Sequence, residues 1–176
     1  MSGRDKDADL SRIYYWVPVE ARYADLDTQG HVNNATYLTY FEQARAHLLY
    51  TMSDLARAEQ SSDDSAPIHQ PTEPPGDIPF IPFVVIAASV SYRRPITGMV
   101  ALAVGVRVGA ISRASVEMRY AVCDRPGGTL YATGATTIIA IHPETGRPCS
   151  LPPATRAALE RLASGDVPYG TSRPRA

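Results

Sequence analysis

The chain has 176 residues, 44% of them apolar and 20% charged, and carries a net charge of −1. That length suits one domain with a full hydrophobic core, and the near-neutral balance excludes a broad field for attracting nucleic acid. No apolar run is long enough to span a bilayer, and the charged N-terminus has no secretory h-region. The two cysteines, Cys123 and Cys149, form neither a metal motif nor a disulfide framework. The expectation is a cytoplasmic protein with reduced thiols, no metal and no membrane or nucleic-acid partner.

In chain order, residues 1–12 alternate charges and read as a disordered arm. Ile13 to Ala24 is rich in Tyr, Val and Trp and reads as a first strand. Pro18 lacks an N–H, so this strand belongs at a sheet edge or carries a bulge. Thr28 to Asn34 reads as a loop. Beyond it Tyr37, Leu38, Phe41, Ala44, Leu48, Met52 and Leu55 recur at three- and four-residue steps, the stripe of a long amphipathic helix. Asn33 or Asn34 suits its N-cap.

Residues 60–79 hold Ser61-Ser-Asp-Asp-Ser65 and Pro67, Pro71, Pro74, Pro75 and Pro79. They show no period and predict a long loop. Four strands should follow. Val84, Ile86, Ala88, Val90 and Tyr92 mark one face of the first, and Val100 to Val108 alternate likewise. Val116, Met118, Tyr120 and Val122 mark the third, and Leu130 to Ile141 is apolar on much of both faces. The short connectors between them favour antiparallel neighbours. Pro153 to Ala163 predicts a last short helix, within a C-terminal piece of 149–176. An α+β domain over 13–148 emerges, with one long helix packed on a five-stranded, mainly antiparallel sheet. The uncovered sheet face predicts a homodimer or homotetramer.

Chemistry concentrates in 25–34, with Asp25, Asp27, Thr28, Gln29, His31, Asn33 and Asn34 set just before the helix. A helix start offers free N–H groups and a positive dipole end to an oxyanion, and a carboxylate can activate water or attack a carbonyl. Asx residues before a helix equally serve as caps and turns. Composition alone leaves the two readings open.

The run Arg22-Tyr-Ala-Asp-Leu-Asp-Thr-Gln-Gly-His-Val-Asn-Asn-Ala-Thr-Tyr-Leu-Thr-Tyr-Phe-Glu-Gln-Ala-Arg45 resembles the signature of hotdog-fold thioesterases, in the 4-hydroxybenzoyl-CoA thioesterase and acyl-CoA thioesterase group. It is also similar to plant acyl-ACP thioesterases. Ser91-Tyr-Arg-Arg-Pro95 and Arg113-Ala-Ser115 match more weakly.

The resemblance implies a hotdog fold and hydrolysis of an acyl thioester at a dimer interface. No cofactor is implied beyond the coenzyme A of the substrate. Asp27 takes the place of the catalytic carboxylate, as nucleophile or general base. Backbone N–H groups around Asn34 polarise the carbonyl, and His31 matches a histidine of the plant enzymes. Where those enzymes have asparagine, this chain has Gln29, which either orients water or shapes the turn with Gly30. Tyr37 stands at the pocket or in the core. Arg94 and Arg113 are candidates for the coenzyme A phosphates, and Ser115 for a contribution from the neighbouring subunit. Acyl carrier protein is the alternative acyl donor. Two other functions fit the same fold: an enoyl-CoA hydratase or dehydratase, and a non-catalytic acyl-thioester binder.

Overall fold

Period-two alternation produces five strands and the three- and four-residue stripe a long helix. The computed structural model describes residues 15–58 and 82–165, with 53–58 described by backbone alone. The predicted arm at 1–12 and the predicted loop at 60–79 lie outside the described residues. The strands are β1 (Tyr15–Glu20), β2 (Phe83–Tyr92), β3 (Ala101–Ile111), β4 (Ser115–Cys123) and β5 (Leu130–Ala140). The helices are α1 (Thr36–Ala58) and α2 (Pro153–Ser164). The sheet order is β1-β3-β4-β5-β2, and every neighbouring pair is antiparallel. β1, with Pro18, is one edge and β2 the other.

The core lies between α1 and the sheet. Tyr37, Tyr40, Phe41, Ala44 and Leu48 are buried against Val104, Val106, Tyr120, Val122 and Ile138. A large apolar side chain buried in this way contributes about 1.5–3 kcal/mol. Phe41 stacks on Tyr120 with ring centroids 4.4 Å apart and planes 9° from parallel. Gly134 makes that stacking possible, because a Cβ there would lie 2.3 Å from Phe41 Cε2 and 2.5 Å from the Ser89 carbonyl oxygen. Leu151, Leu159 and Leu162 join the same buried cluster, so α2 extends this core beside β3.

Three local expectations need correction. The first strand is shorter than Ile13 to Ala24, because the chain leaves the sheet after Glu20 and makes a 3-10 turn over Tyr23–Asp25. Leu38 is 42% exposed and lies off the helix stripe; one residue past buried Tyr37, it is rotated about 100° from it. In β2 the alternation breaks. Val85 pairs with Ile138 and Ala87 with Thr137, which leaves Ile86 as a bulge. Val84 therefore shares the outer face with Ile139, while Ala88, Val90 and Tyr92 face the helix side opposite Thr136, Gly134 and Ala132. The bulge resets the phase that a strict period of two assumes.

Both cysteines are free. Burial first, then the charge of Asp124, pushes the Cys123 thiol up to about 11, so it is a poor nucleophile at neutral pH. Among the described residues no helix is long and apolar enough to cross a membrane, and no three His, Cys, Asp or Glu side chains gather to hold a metal ion.

Candidate active site

The 25–34 segment is held by its own backbone. Asp27 N–H donates to the His31 carbonyl at 2.7 Å, and Gly30 N–H donates to the Asp27 carbonyl at 3.0 Å. Closing so tight a turn requires φ +75° at Gly30, a conformation open to glycine without penalty. The Asp27 side chain completes the turn, its Oδ1 accepting the N–H groups of Gln29 at 2.8 Å and His31 at 3.1 Å. Those two bonds, the His31 one first, hold the carboxyl below the usual carboxylate range. Among the described residues Oδ2 accepts no protein hydrogen bond.

Asp25 is arranged differently. It is buried, and its carboxylate accepts the backbone N–H of Arg22 at 2.9 Å, the Arg22 guanidinium at 3.1 Å and the Tyr40 hydroxyl at 3.1 Å. Burial alone would raise its pKa; the bonds from Arg22 and Tyr40 outweigh burial and lower it. Its carbonyl accepts Asn33 N–H at 2.8 Å, which ties the loop to the start of α1.

Asn33 is the side-chain cap: its Oδ1 accepts Ala35 N–H at 2.9 Å, and its carbonyl accepts Thr36 N–H at 3.0 Å. Among the described residues the N–H of Asn34 has no protein acceptor. Below the loop, the chain leaving β2 runs as a strap. Val32 N–H donates to the Ile96 carbonyl at 2.9 Å, and His31 bridges to Thr97.

Loop, helix start and strap enclose a cleft of about 290 Å³, whose lining includes Asp27, His31, Asn34, Tyr37, Tyr92 and Arg94. Five of these were candidates from the sequence. Gln29 and Gly30 lie outside the lining; Gln29 contributes a backbone donor to Asp27 and Gly30 the turn. Arg113 and Ser115 lie at the β3–β4 hairpin, bonded to Ser150 Oγ at 3.2 Å and Ser112 Oγ at 2.8 Å respectively. Ser115 pairs with Ile139, which pairs with Val84, whereas the cleft adjoins Tyr92 at the other end of β2. At strand rise these two rows are roughly 25 Å apart. Within one chain, Arg113 and Ser115 are therefore not brought to Asp27.

Sequence reasoning missed Tyr92 as a site residue. Its hydroxyl donates to the Asn34 carbonyl at 2.8 Å, and its ring stands edge-on to Tyr37, 79° between planes and 5.1 Å between centroids. The two hydrogen-bond partners are 58 residues apart in the chain. No local pattern announces such a contact.

Asp27 and Asn34 line one cleft, and among the described residues one carboxylate oxygen of the first and the backbone N–H of the second have no protein partner. A family model described as the thioesterase-like superfamily matches residues 21–159. A search of curated proteins finds no match. Among solved structures, a thioesterase from Thermus thermophilus, complexed with coenzyme A and zinc, is 30% identical. The match has a TM-score of 0.64 and covers 87% of this chain and 96% of that one. A DHNA-CoA thioesterase from Staphylococcus aureus (23% identity, 0.64, 86% and 91%) and the probable thioesterase YbaW from Escherichia coli (23%, 0.63, 84% and 98%) share the fold. The family match and the 30% identical structure support a thioesterase activity in general terms. With a family match over most of its length and a five-stranded antiparallel sheet wrapped on one long helix, the chain belongs to the thioesterase-like superfamily and has its hotdog fold.

Proposed function

We propose that the protein hydrolyses an acyl-CoA thioester to a free acid and coenzyme A, with Asp27 as the reacting carboxylate. One observation carries this reading. Asp27 and Asn34 line one cleft, Asp27 is held through Oδ1, and among the described residues Asp27 Oδ2 and the Asn34 N–H have no protein hydrogen-bond partner. A thioester carbonyl accepting that N–H at the start of α1 would be polarised, and its oxyanion stabilised, by the helix end. Asp27 then acts in one of two ways. It takes a proton from water, whose hydroxide adds to the carbonyl carbon, or it adds itself to give an anhydride that water cleaves. In both routes the C–S bond breaks and the thiolate leaves to be protonated. A lowered pKa keeps Asp27 ionised at neutral pH, as either route requires.

The other residues take supporting roles. His31 lines the cleft, where its imidazole can meet a bound carbonyl or water. Tyr37 forms the wall, Gln29 and Gly30 shape the loop, and Arg94 at the rim suits a coenzyme A phosphate.

A homodimer completes the proposal. The outer sheet face carries an Arg119–Glu117 ion pair at 2.9 Å, a polar feature ill-suited to tight packing. The apolar exposure lies on β2, a ten-residue edge where Val84, Val85 and Ile86 are 44%, 42% and 58% exposed. A long apolar edge of this kind invites another strand. Antiparallel pairing with a second copy's β2 would bring the partner's hairpin end, with its Arg113 and Ser115, to the cleft end of the first chain.

The test is thiol release across acyl-CoAs of varied length and shape, with native protein beside Asp27→Asn. Release by the native protein and its loss in the variant are the expected results. No release from any thioester, or equal release by both, rejects the reading. Light scattering showing a stable, active monomer rejects the dimer.

A further inference from the structure

Tyr92 belongs to an edge strand, half its surface is exposed, and it reaches Asn34, two residues before α1, with a hydrogen bond rather than with its ring alone. The backbone around Asn34 shows what that bond does. The Asn34–Ala35 peptide unit is held at both ends: the Tyr92 hydroxyl donates to the Asn34 carbonyl at 2.8 Å, and Asn33 Oδ1 accepts the Ala35 N–H at 2.9 Å. The preceding Asn33–Asn34 peptide is held by Thr36 N–H on the Asn33 carbonyl at 3.0 Å. Asn34 thus sits between two fixed peptide planes. Its N–H, which has no protein acceptor among the described residues, lies in the Asn33–Asn34 plane, and the next plane, held by Tyr92, limits how that one can turn about the Asn34 φ and ψ. Of the three groups named here that hold these two planes, Tyr92 alone comes from outside the loop and helix.

The phenol is itself well anchored. Tyr92 pairs with Ala132 on β5, and the N–H groups of Arg93 and Arg94 both donate to the Tyr131 carbonyl, at 2.8 and 3.1 Å. The strap then continues to Ile96, whose carbonyl holds Val32. The sheet therefore dictates where the hydroxyl stands, and the hydroxyl dictates where the start of α1 stands.

Resting on the thioesterase reading, we infer that Tyr92 is a positioning residue: its hydroxyl, acting through the Asn34 carbonyl, fixes the backbone donor that receives the developing oxyanion. A donor aimed in advance at that oxygen accelerates the reaction without tightening ground-state binding. The Tyr92 ring, edge-on to Tyr37, separately forms cleft wall. The two contributions come apart on substitution. Tyr92→Phe keeps the wall and removes the bond. Tyr92→Leu removes both.

The experiment measures kcat and KM for thiol release by native protein, Asp27→Asn, Tyr92→Phe and Tyr92→Leu on one acyl-CoA. It also records the ¹⁵N–¹H amide signals of Asn34 and Ala35 without substrate. Expected for Tyr92→Phe is a loss of roughly tenfold in kcat at unchanged KM, smaller than the roughly 10²–10³ for deleting an oxyanion donor outright. The Asn34 and Ala35 amide signals should shift while the melting temperature holds. Tyr92→Leu should lose similar kcat and also raise KM. A residue that only forms wall would leave Tyr92→Phe silent in kcat and in the amide signals. That result, beside an inactive Asp27→Asn, overturns this inference and leaves the function standing. Native protein without thiol release, or Asp27→Asn with native release, overturns the function and this inference together.

Discussion

The turn that holds Asp25 and the loop that holds Asp27 are adjacent in the chain, yet they treat the same functional group in opposite ways. Asp25 is buried and commits both oxygens to Arg22 and Tyr40. Asp27 lines a cleft and commits one oxygen to its own loop, the other having no protein partner among the described residues. Both pKa values fall, so a lowered pKa does not by itself distinguish a structural carboxylate from a reactive one. The distinguishing feature is unused bonding capacity in an accessible place. A saturated carboxylate can stabilise a fold; a half-saturated one can also act on a substrate.

The largest effect should come from removing the open oxygen's charge. Asp27→Asn keeps the size of the side chain and most of the loop bonding. It should fold and dimerise but lose at least about 10²-fold in kcat for acyl-CoA, the lower range for a positioned acid or base. Steady-state thiol release measures it. Asp25→Asn should show the reverse pattern, losing about 1–3 kcal/mol of stability as buried donors lose a charged acceptor. Denaturant unfolding of the two variants side by side is the check. Equal losses of activity, or a stability loss confined to Asp27→Asn, would break the comparison.

How far this pair was legible follows from what each contact requires. The helix and strands were readable because burial enforces their periods locally, as Tyr37, Phe41, Ala44 and Leu48 do along α1. Asp27 was readable through its register with a known signature and through the loop glycine. Asp25 is turned inward by a 3-10 turn and bonds Tyr40, fifteen residues on; two residues in extended chain would instead have pointed the same way. Tyr92 and the bulge at Ile86 depend on partners brought together only by the finished sheet. Arg113 and Ser115 fail to meet Asp27 within one chain because the hairpin carrying them is at the far end of the sheet.

Smaller effects sharpen the contrast between cleft and surroundings. His31→Ala should cut kcat by about tenfold if its imidazole meets substrate or water, below the about 10²–10⁴ of a full general acid or base. Its backbone bonds to Asp27 survive the change, so turnover equal to native would confine His31 to holding the loop. Arg94→Ala should raise KM for acyl-CoA a few-fold with kcat intact. A truncated thioester without the nucleotide should show no such rise. Arg113→Ala should match that behaviour only if the dimer forms, so a mutation that blocks pairing along β2 should abolish any Arg113 effect while sparing that of Arg94.

The smallest effect is in acid. Asp25 has a folded pKa below its unfolded value of about 3.9. Its contribution to stability is therefore complete above the unfolded pKa and disappears as pH falls through the folded one. The stability difference between native protein and Asp25→Asn should stay constant above about pH 5 and shrink below about pH 4. The same direction of shift in Asp27 places the acid limb of kcat/KM below about pH 4, because the carboxylate must stay ionised to react. Asp27 is half-buried and its pKa is lowered as well, so its substitution should alter the pH dependence of stability in the same direction, but by less than that of buried Asp25 with its guanidinium partner. Unfolding and initial-rate curves from about pH 3 to 7 should then separate the two carboxylates: the larger share of the stability transition goes to Asp25 and the activity transition to Asp27. An activity limb above about pH 5, or a stability difference between native and Asp25→Asn that grows toward low pH, would contradict the division of roles.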